Sequence, residues 1–143
     1  MGEALAAAHL AVQLLLPQRR LLYPGDATWT EQGFRLAWHV MLVEKSGDVS
    51  FRVVESSTGR RWTVHRGVLT PMQARTMSTV PDMIAQAATM VRDDFARRGH
   101  PSVAVYADAF VSINGRPSRR IVDPSVDLGR VGDSLGPKPW ILP

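Results

Sequence analysis

The stretch PDMIAQAATMVRDDFARRGHPSVAVYADAFVSING, residues 81–115, decides the fold because its hydrophobic period changes along it. Over residues 81–98 the apolar side chains recur at steps of three and four, which predicts an amphipathic helix with one apolar face. From Val103 to Ile113 apolar and polar residues alternate, which predicts a strand with one buried face. Asn114-Gly115 is the strongest short signal for a hairpin, and the chain is expected to return along the sheet over residues 116–122.

Three more strands with short connections are predicted upstream of this stretch. The first covers Phe34–Val43, which is rich in aromatic and branched residues. Lys45–Asp48 is typical of a hairpin turn, and Val49–Glu55 alternates cleanly as a second strand. Ser56–Gly59 predicts another turn, and Arg60–His65 is expected to be the third strand. The three strands would form an antiparallel meander.

A short helix is expected just before the main one. Thr70 is a suitable N-cap, Pro71 favours the first helical position, and Gln73 stands at the capping-box spacing. The expected fold class is therefore α+β: a mostly antiparallel sheet, made of a meander plus a hairpin, packed against one main helix, with an apolar helix at the N-terminus.

Composition bounds the chain to one domain with an adequate core. It has 143 residues, of which 45% are hydrophobic and 21% charged, close to the globular average. Because the chain has no cysteine, disulfide scaffolds, thiolate metal sites and cysteine nucleophiles are excluded. The 17 basic and 13 acidic residues give a modest net charge of +4, and only two of the basic residues, Lys45 and Lys138, are lysines.

The chain begins with an apolar segment. Ala4–Leu16 is interrupted only by His9 and Gln13, and it is shorter than the roughly 20 residues that span a bilayer. Two interpretations stay open: an amphipathic helix packed on the domain, or the end of a membrane-associated segment with Arg19 and Arg20 as its interfacial flank. The basic flank favours the second interpretation, so residues 1–18 are predicted to be an apolar helix that is the remnant of a membrane-associated segment, and residues 19–143 a single soluble α+β domain.

For each candidate site, a structural role of its residues is favoured over a binding role. The four histidines show no zinc-binding spacing, and Asp123 and Asp127 are better explained as turn residues than as ligands of a hard cation. Arg116, with Arg119 and Arg120, surrounds the predicted hairpin tip and could meet an anion. The chain has no phosphate-binding glycine loop, nucleophile elbow or convincing triad, so no catalytic, cofactor-binding or metal-binding residue is assigned.

The ordered motifs of the chain, taken together, resemble one family. Their sequence positions are Gln13–Pro17, Arg19–Gly25, Trp29–Gly33, Trp38–Leu42, Leu69–Gln73, Pro81–Ile84, Ser112–Arg116, Asp123-Pro124 with Val126–Leu128, and Trp140–Pro143. The set is similar to the soluble C-terminal portion of the vitamin K-dependent gamma-carboxylase family, whose bacterial relatives carry an HTTM membrane domain. The resemblance extends from about Leu10 to the end of the chain.

This resemblance implies a membrane enzyme, of the carbon-carbon lyase class, that couples oxidation of reduced vitamin K to carboxylation of glutamate side chains. In that family the catalytic base is a lysine of the membrane-embedded portion, and neither Lys45 nor Lys138 lies in a matching motif. The chain is thus expected to be an extramembrane domain that is not catalytic alone and binds no cofactor itself. Its expected partners are the membrane-embedded portion and a protein or peptide substrate.

Seven residues are candidates for a structural or interaction role: Trp29, Trp38, Asn114, Gly115, Arg116, Asp123 and Asp127. Trp29 and Trp38, with Met41, would serve the core or the seam with the membrane portion, and the others would fix the hairpin and tail. The alternative is a free-standing binding module that holds an anionic ligand or a protein partner on its sheet or hairpin. The sheet sequence lacks the interleaved aromatics of an RNA platform, which disfavours nucleic acid.

Overall fold

The structure, a computed structural model, describes residues 2–37 and 43–143. Its fold is built on a four-stranded antiparallel sheet. The strands are β1 (Lys45–Glu55), β2 (Arg61–Val64), β3 (Val103–Ile113) and β4 (Arg119–Arg120), and their order in the sheet is β2-β1-β3-β4. Together with the helices, this sheet confirms the α+β fold class.

Four α-helices and two 3-10 segments complete the described chain. The helices are α1 (Gly2–Leu15), α2 (Ala27–Thr30), α3 (Pro71–Met77) and α4 (Pro81–Arg97), and the 3-10 segments are η1 (Leu16–Leu22) and η2 (Leu128–Arg130). Within the described residues, no helix combines the length and the apolar character that a bilayer crossing requires.

The core lies between α4 and one face of the sheet. The inward residues of β3 alternate as predicted, and Val105, Ala107 and Ala109 are completely buried. The small side chains at 107 and 109 face a helix that is itself rich in buried alanines, among them Ala87 and Ala88, which lets helix and sheet pack closely.

The main predictions from residues 81–115 are confirmed. Asn114 and Gly115 have φ values of 49° and 70°, and the amide of Arg116 donates to the carbonyl of Ile113 at 3.0 Å, which is the geometry of a type I′ turn. The return strand is shorter than predicted, because β4 contains only Arg119 and Arg120 and pairs with Phe110 and Val111.

The predicted meander is wrong at its first turn. Lys45–Asp48 forms the beginning of β1 and pairs with residues 110–113 of β3 instead of making a hairpin. Glycine is needed at position 47 because the backbone there lies close to Ser78, and not because the chain turns. A Cβ at this position would lie 2.6 Å from the carbonyl oxygen of Ser78. The remaining β1–β2 hairpin matches the prediction, and β3 is the other neighbour of β1.

The strand predicted over residues 34–43 is absent from the part of this range that the structure describes, residues 34–37 and 43. Residues 34–37 make a turn in which the amide of Ala37 donates to the carbonyl of Phe34 at 3.0 Å. Trp38, Met41 and the middle of the predicted strand lie outside the described residues.

Candidate functional site

The C-terminal tail is held by the segment around α2. Asp26 caps this helix by accepting a 2.8 Å hydrogen bond from the amide of Thr28. The buried indole of Trp29 donates through Nε1 to the carbonyl of Leu142 at 2.8 Å, and Gln32 Oε1 accepts from the amide of Lys138 at 2.9 Å. We call these two bonds the tail clamp. Through the tail clamp, Trp29 and Gln32 of one sequence motif hold the tail that contains the distant motif Trp140–Pro143.

Both lysines of the chain are nearly buried and lie beside the tail clamp. Lys45 Nζ is 2.6 Å from Glu31 Oε1 and donates to the carbonyl of Trp29 at 3.1 Å, with only 7% of its side chain exposed. Lys138 pairs with Asp82 at the beginning of α4. The two ammonium groups therefore join the α2 segment to β1 and the tail to α4.

A cavity of about 490 Å³ opens next to these ion pairs. It lies between the α2 segment, the first turns of α4 and the loop that follows η2. Apolar and polar side chains share its wall, and its apolar lining includes Met83, Val131 and Trp140. A volume of this size is typical of small-molecule sites.

Apart from Glu31, which pairs with Lys45 outside the wall, two groups of charged residues line the cavity. Arg35 contacts Asp82 at 3.1 Å and Asp133 at 2.6 Å, and Asp82 also holds Lys138, so this group is balanced. The hydrogen bond that Arg35 donates to Asp133, more than any other contact, raises the pKa of Arg35 above its ordinary value.

The second group consists of Arg92 and Arg130. Arg92 donates to the carbonyl of Gly129 and pairs with Asp93 at 2.8 Å, while Arg130 contacts Asp127 through Nε at 3.2 Å. Neither Asp93 nor Asp127 lines the cavity. This side of the cavity therefore carries two cations whose carboxylate partners lie outside the wall.

The apolar N-terminal segment is joined to the same side of the domain. Arg19 Nη2 donates to the carbonyl of Arg35 at 3.2 Å, and the hydroxyl of Tyr23 donates to the carbonyl of Leu135. Gly33 has φ 82° and lies so close to η1 that a Cβ there would be 2.6 Å from the Cα of Arg20. We call these contacts the seam.

Beyond the seam, α1 and η1 expose many large apolar side chains. No residue of either element is buried. The exposed residues are Leu5, Leu10, Val12, Leu14, Leu15, Leu21 and Leu22. Such a surface on an ordered segment is a typical docking surface for protein or lipid.

The residues of the hairpin tip are placed apart from one another. Asn114 Oδ1 accepts from the amide of Glu44 at 2.9 Å, and the Asn114 amide donates to the carbonyl of Glu44. Arg116 is exposed, whereas Arg119 lies 4.0 Å above the Trp29 ring and Arg120 binds Asp108 at 2.5 Å. The three arginines therefore do not form a common anion site.

The two tail aspartates fix backbone. Asp123 accepts hydrogen bonds from the hydroxyl and amide of Ser125, which lower the pKa of its carboxyl group below the ordinary value. Asp127 Oδ1 accepts from the amide of Val105 at 2.8 Å and from that of Gly129 at 3.1 Å. In the described part of the chain, no three acidic or histidine side chains come together as they would around a metal ion.

The structure buries Trp29 in the core, one of the two roles that the sequence left open for it, and the ion pairs around it were missed by sequence reasoning. Glu31, Lys45, Asp82 and Lys138 were not candidates, although the rarity of lysine in an arginine-rich chain was a usable signal. The position of Trp38 lies outside the described residues.

The whole length of the chain matches the model of one protein family. The family model described as vitamin K-dependent gamma-carboxylase, lumenal domain, matches residues 1–143. The chain belongs to this family. The matched range contains the residues of the apolar segment, the seam, the tail clamp and the cavity. No solved structure matches the chain.

Proposed function

We propose that this lumenal domain serves as the extramembrane part of a gamma-carboxylase-like membrane protein and is not catalytic on its own. In this proposal the membrane-embedded portion carries the reaction, which is carboxylation of protein glutamate coupled to oxidation of reduced vitamin K. The observation that carries the proposal is the family match over all 143 residues. The domain's contribution is to pack on the membrane portion and to shape access to its active site.

The seam and the exposed apolar segment support this role. Seven large apolar side chains of α1 and η1 are exposed to solvent in the isolated chain, which is unfavourable unless a partner covers them. Arg19, Tyr23 and Gly33 tie this segment to the domain, so a partner bound to α1 and η1 would hold the whole domain in one orientation.

The ion pairs of the site also support a structural rather than catalytic role. Lys45 and Lys138 are each bound to a carboxylate and are largely shielded from solvent. A general base must reach the proton that it removes, and two buried, paired ammonium groups are poorly arranged for that task.

A chimaera tests the proposal directly. The lumenal domain of an active family member is replaced by this chain, and incorporation of labelled bicarbonate into a glutamate peptide is measured with reduced vitamin K. We expect no turnover from the chain alone and measurable turnover from the chimaera. The matched control carries Gly33→Ala, which breaks the seam, and we expect it to lose most of the restored activity. Turnover by the chain alone, or equal activity of the control, would contradict the proposal.

A further inference from the structure

The mixed apolar and charged wall of the cavity beside the tail clamp has no part in the proposed docking to a membrane portion. Its wall combines apolar side chains with a positively charged side formed by Arg92 and Arg130. The other charged group, made of Arg35, Lys138, Asp82 and Asp133, contains two cations and two carboxylates and is balanced within the wall.

Arg130 is the residue with free hydrogen-bonding capacity. Its Nε contacts Asp127, and among the described residues no partner is found for Nη1 and Nη2. By contrast, each of the three guanidinium nitrogens of Arg92 already donates one hydrogen bond, to Asp93 or to the carbonyl of Gly129. A planar guanidinium with two unpaired Nη groups can bind a carboxylate in a bidentate arrangement.

The apolar part of the wall lies next to this arginine. Val131 follows Arg130 directly in the chain, and Met83 and Trp140 line the same cavity. Trp140 is buried, and its position is fixed because the amide of Asp123 donates to its carbonyl at 2.8 Å. A ligand body placed against these side chains would be removed from water, which favours binding.

We propose that this cavity binds a small carboxylate with an apolar body, its head group on Arg130 and its body against Met83, Val131 and Trp140. The volume of about 490 Å³ accommodates a molecule of this kind. The inference does not depend on the proposed membrane role, because it uses only residues of this domain and a ligand small enough to bind the isolated chain.

The test uses the full 143-residue chain and sodium octanoate, followed by calorimetry and by amide and indole chemical shifts. Octylamine has a comparable body with the opposite charge, and acetate has the head group without the body. N-acetyl-leucyl-leucine distinguishes a peptide carboxylate from an aliphatic acid. We expect saturable binding of octanoate or the dipeptide, or both, with shifts at Met83, Val131 and Trp140, and at least tenfold weaker binding of octylamine and acetate.

Two variants and one control complete the test. Arg130→Gln removes the head-group contact and is expected to weaken octanoate binding by about tenfold or more, the size of one charge-assisted hydrogen bond. Val131→Trp fills the cavity and is expected to abolish binding. Arg116→Gln makes the same charge change at the exposed hairpin and should leave binding unchanged. Shifts confined to residues 2–22, equal binding of octylamine, or an unchanged affinity in Arg130→Gln would overturn the proposal.

Discussion

The indole of Trp29 donates a 2.8 Å hydrogen bond to the backbone carbonyl of Leu142, and this bond joins two segments that are 113 residues apart. The same indole ring is covered by the guanidinium of Arg119 at 4.0 Å. One side chain thus connects α2, the hairpin arm and the tail. The order of the tail therefore depends on a residue near the beginning of the domain.

Trp29→Phe removes this hydrogen bond and keeps most of the apolar contact. We expect a loss of about 1–2 kcal/mol in the free energy of unfolding, since the Leu142 carbonyl is left without its donor. Urea denaturation measures the loss. Trp62→Phe is the control, because Trp62 is half-buried and contacts Phe95 and His100 through its ring. Equal destabilisation by the two substitutions would show that the bond to the tail contributes nothing.

The buried pair of Lys45 and Glu31 predicts strong coupling between two substitutions. Lys45→Met leaves the Glu31 carboxylate without its partner, and Glu31→Gln leaves a nearly buried ammonium group. We expect each single change to cost about 3 kcal/mol. The double variant removes both charges and should cost less than the sum of the two. A double-mutant cycle by urea denaturation measures this, and strict additivity would contradict the direct pairing.

Local signals explain which parts of the fold could be predicted. The period of residues 81–98, the alternation of residues 103–113 and the positive φ values that Asn114-Gly115 favours are each encoded within a few neighbouring residues. Lys45–Asp48 shows the opposite case. Its glycine and aspartate are typical of a turn, but the segment is extended because it pairs with residues 110–113 of β3, and Gly47 there lies against the carbonyl of Ser78.

The candidate site was less predictable because its contacts connect distant segments. Lys138 and Asp82 are 56 residues apart, and Gln32 and Lys138 are 106 apart. Nothing in the neighbourhood of Gln32 indicates that its side chain accepts a bond from the tail. Only the ordered motifs of the resemblance pointed to these segments, and the structure supplies the physical reason that they occur together.

Gly33 and Gly59 form a matched pair for testing the seam. Both have positive φ, 82° and 70°, but a Cβ at Gly59 meets nothing within 4 Å, whereas at Gly33 it would meet the backbone of Arg20 at 2.6 Å. Gly59→Ala should therefore cost only the left-handed strain of about 1–2 kcal/mol. Gly33→Ala should cost more and should separate η1 from the domain. Trypsin cleavage after Arg19 and Arg20 measures the separation, and equal cleavage rates in the two variants would contradict the seam.

The Glu55 carboxylate makes the stability of the domain depend on pH. Hydrogen bonds from Thr58 and then from His100 lower the pKa of Glu55 below its ordinary value of 4.5. Because the folded-state pKa is the lower one, the ionised carboxylate stabilises the fold above pH 4.5, and this stabilisation is lost as the pH falls further.

Glu55→Gln should therefore be less stable than the parent chain at pH 7, and the difference between their melting temperatures should shrink below pH 4.5. Melting curves between pH 3 and pH 7 measure the difference. Glu44→Gln removes the same charge at an exposed position before β1 and serves as the control. A difference between parent and Glu55→Gln that is constant over this range would contradict the role of the carboxylate.

Asn114 contributes to the hairpin through its conformation and through its side chain, and two substitutions separate these effects. Its φ is 49°, and its Oδ1 accepts from the amide of Glu44 at 2.9 Å. Asn114→Gly keeps the left-handed conformation and loses the acceptor, so we expect a cost of about 1 kcal/mol. Asn114→Ala loses the acceptor and adds strain of about 1–2 kcal/mol. Gly115→Ala, in open space at φ 70°, measures the strain alone. If urea denaturation shows Asn114→Gly to be as stable as the parent chain, the contact with Glu44 does not stabilise the hairpin. If Asn114→Ala and Asn114→Gly are equally stable, the left-handed conformation at this position adds no strain.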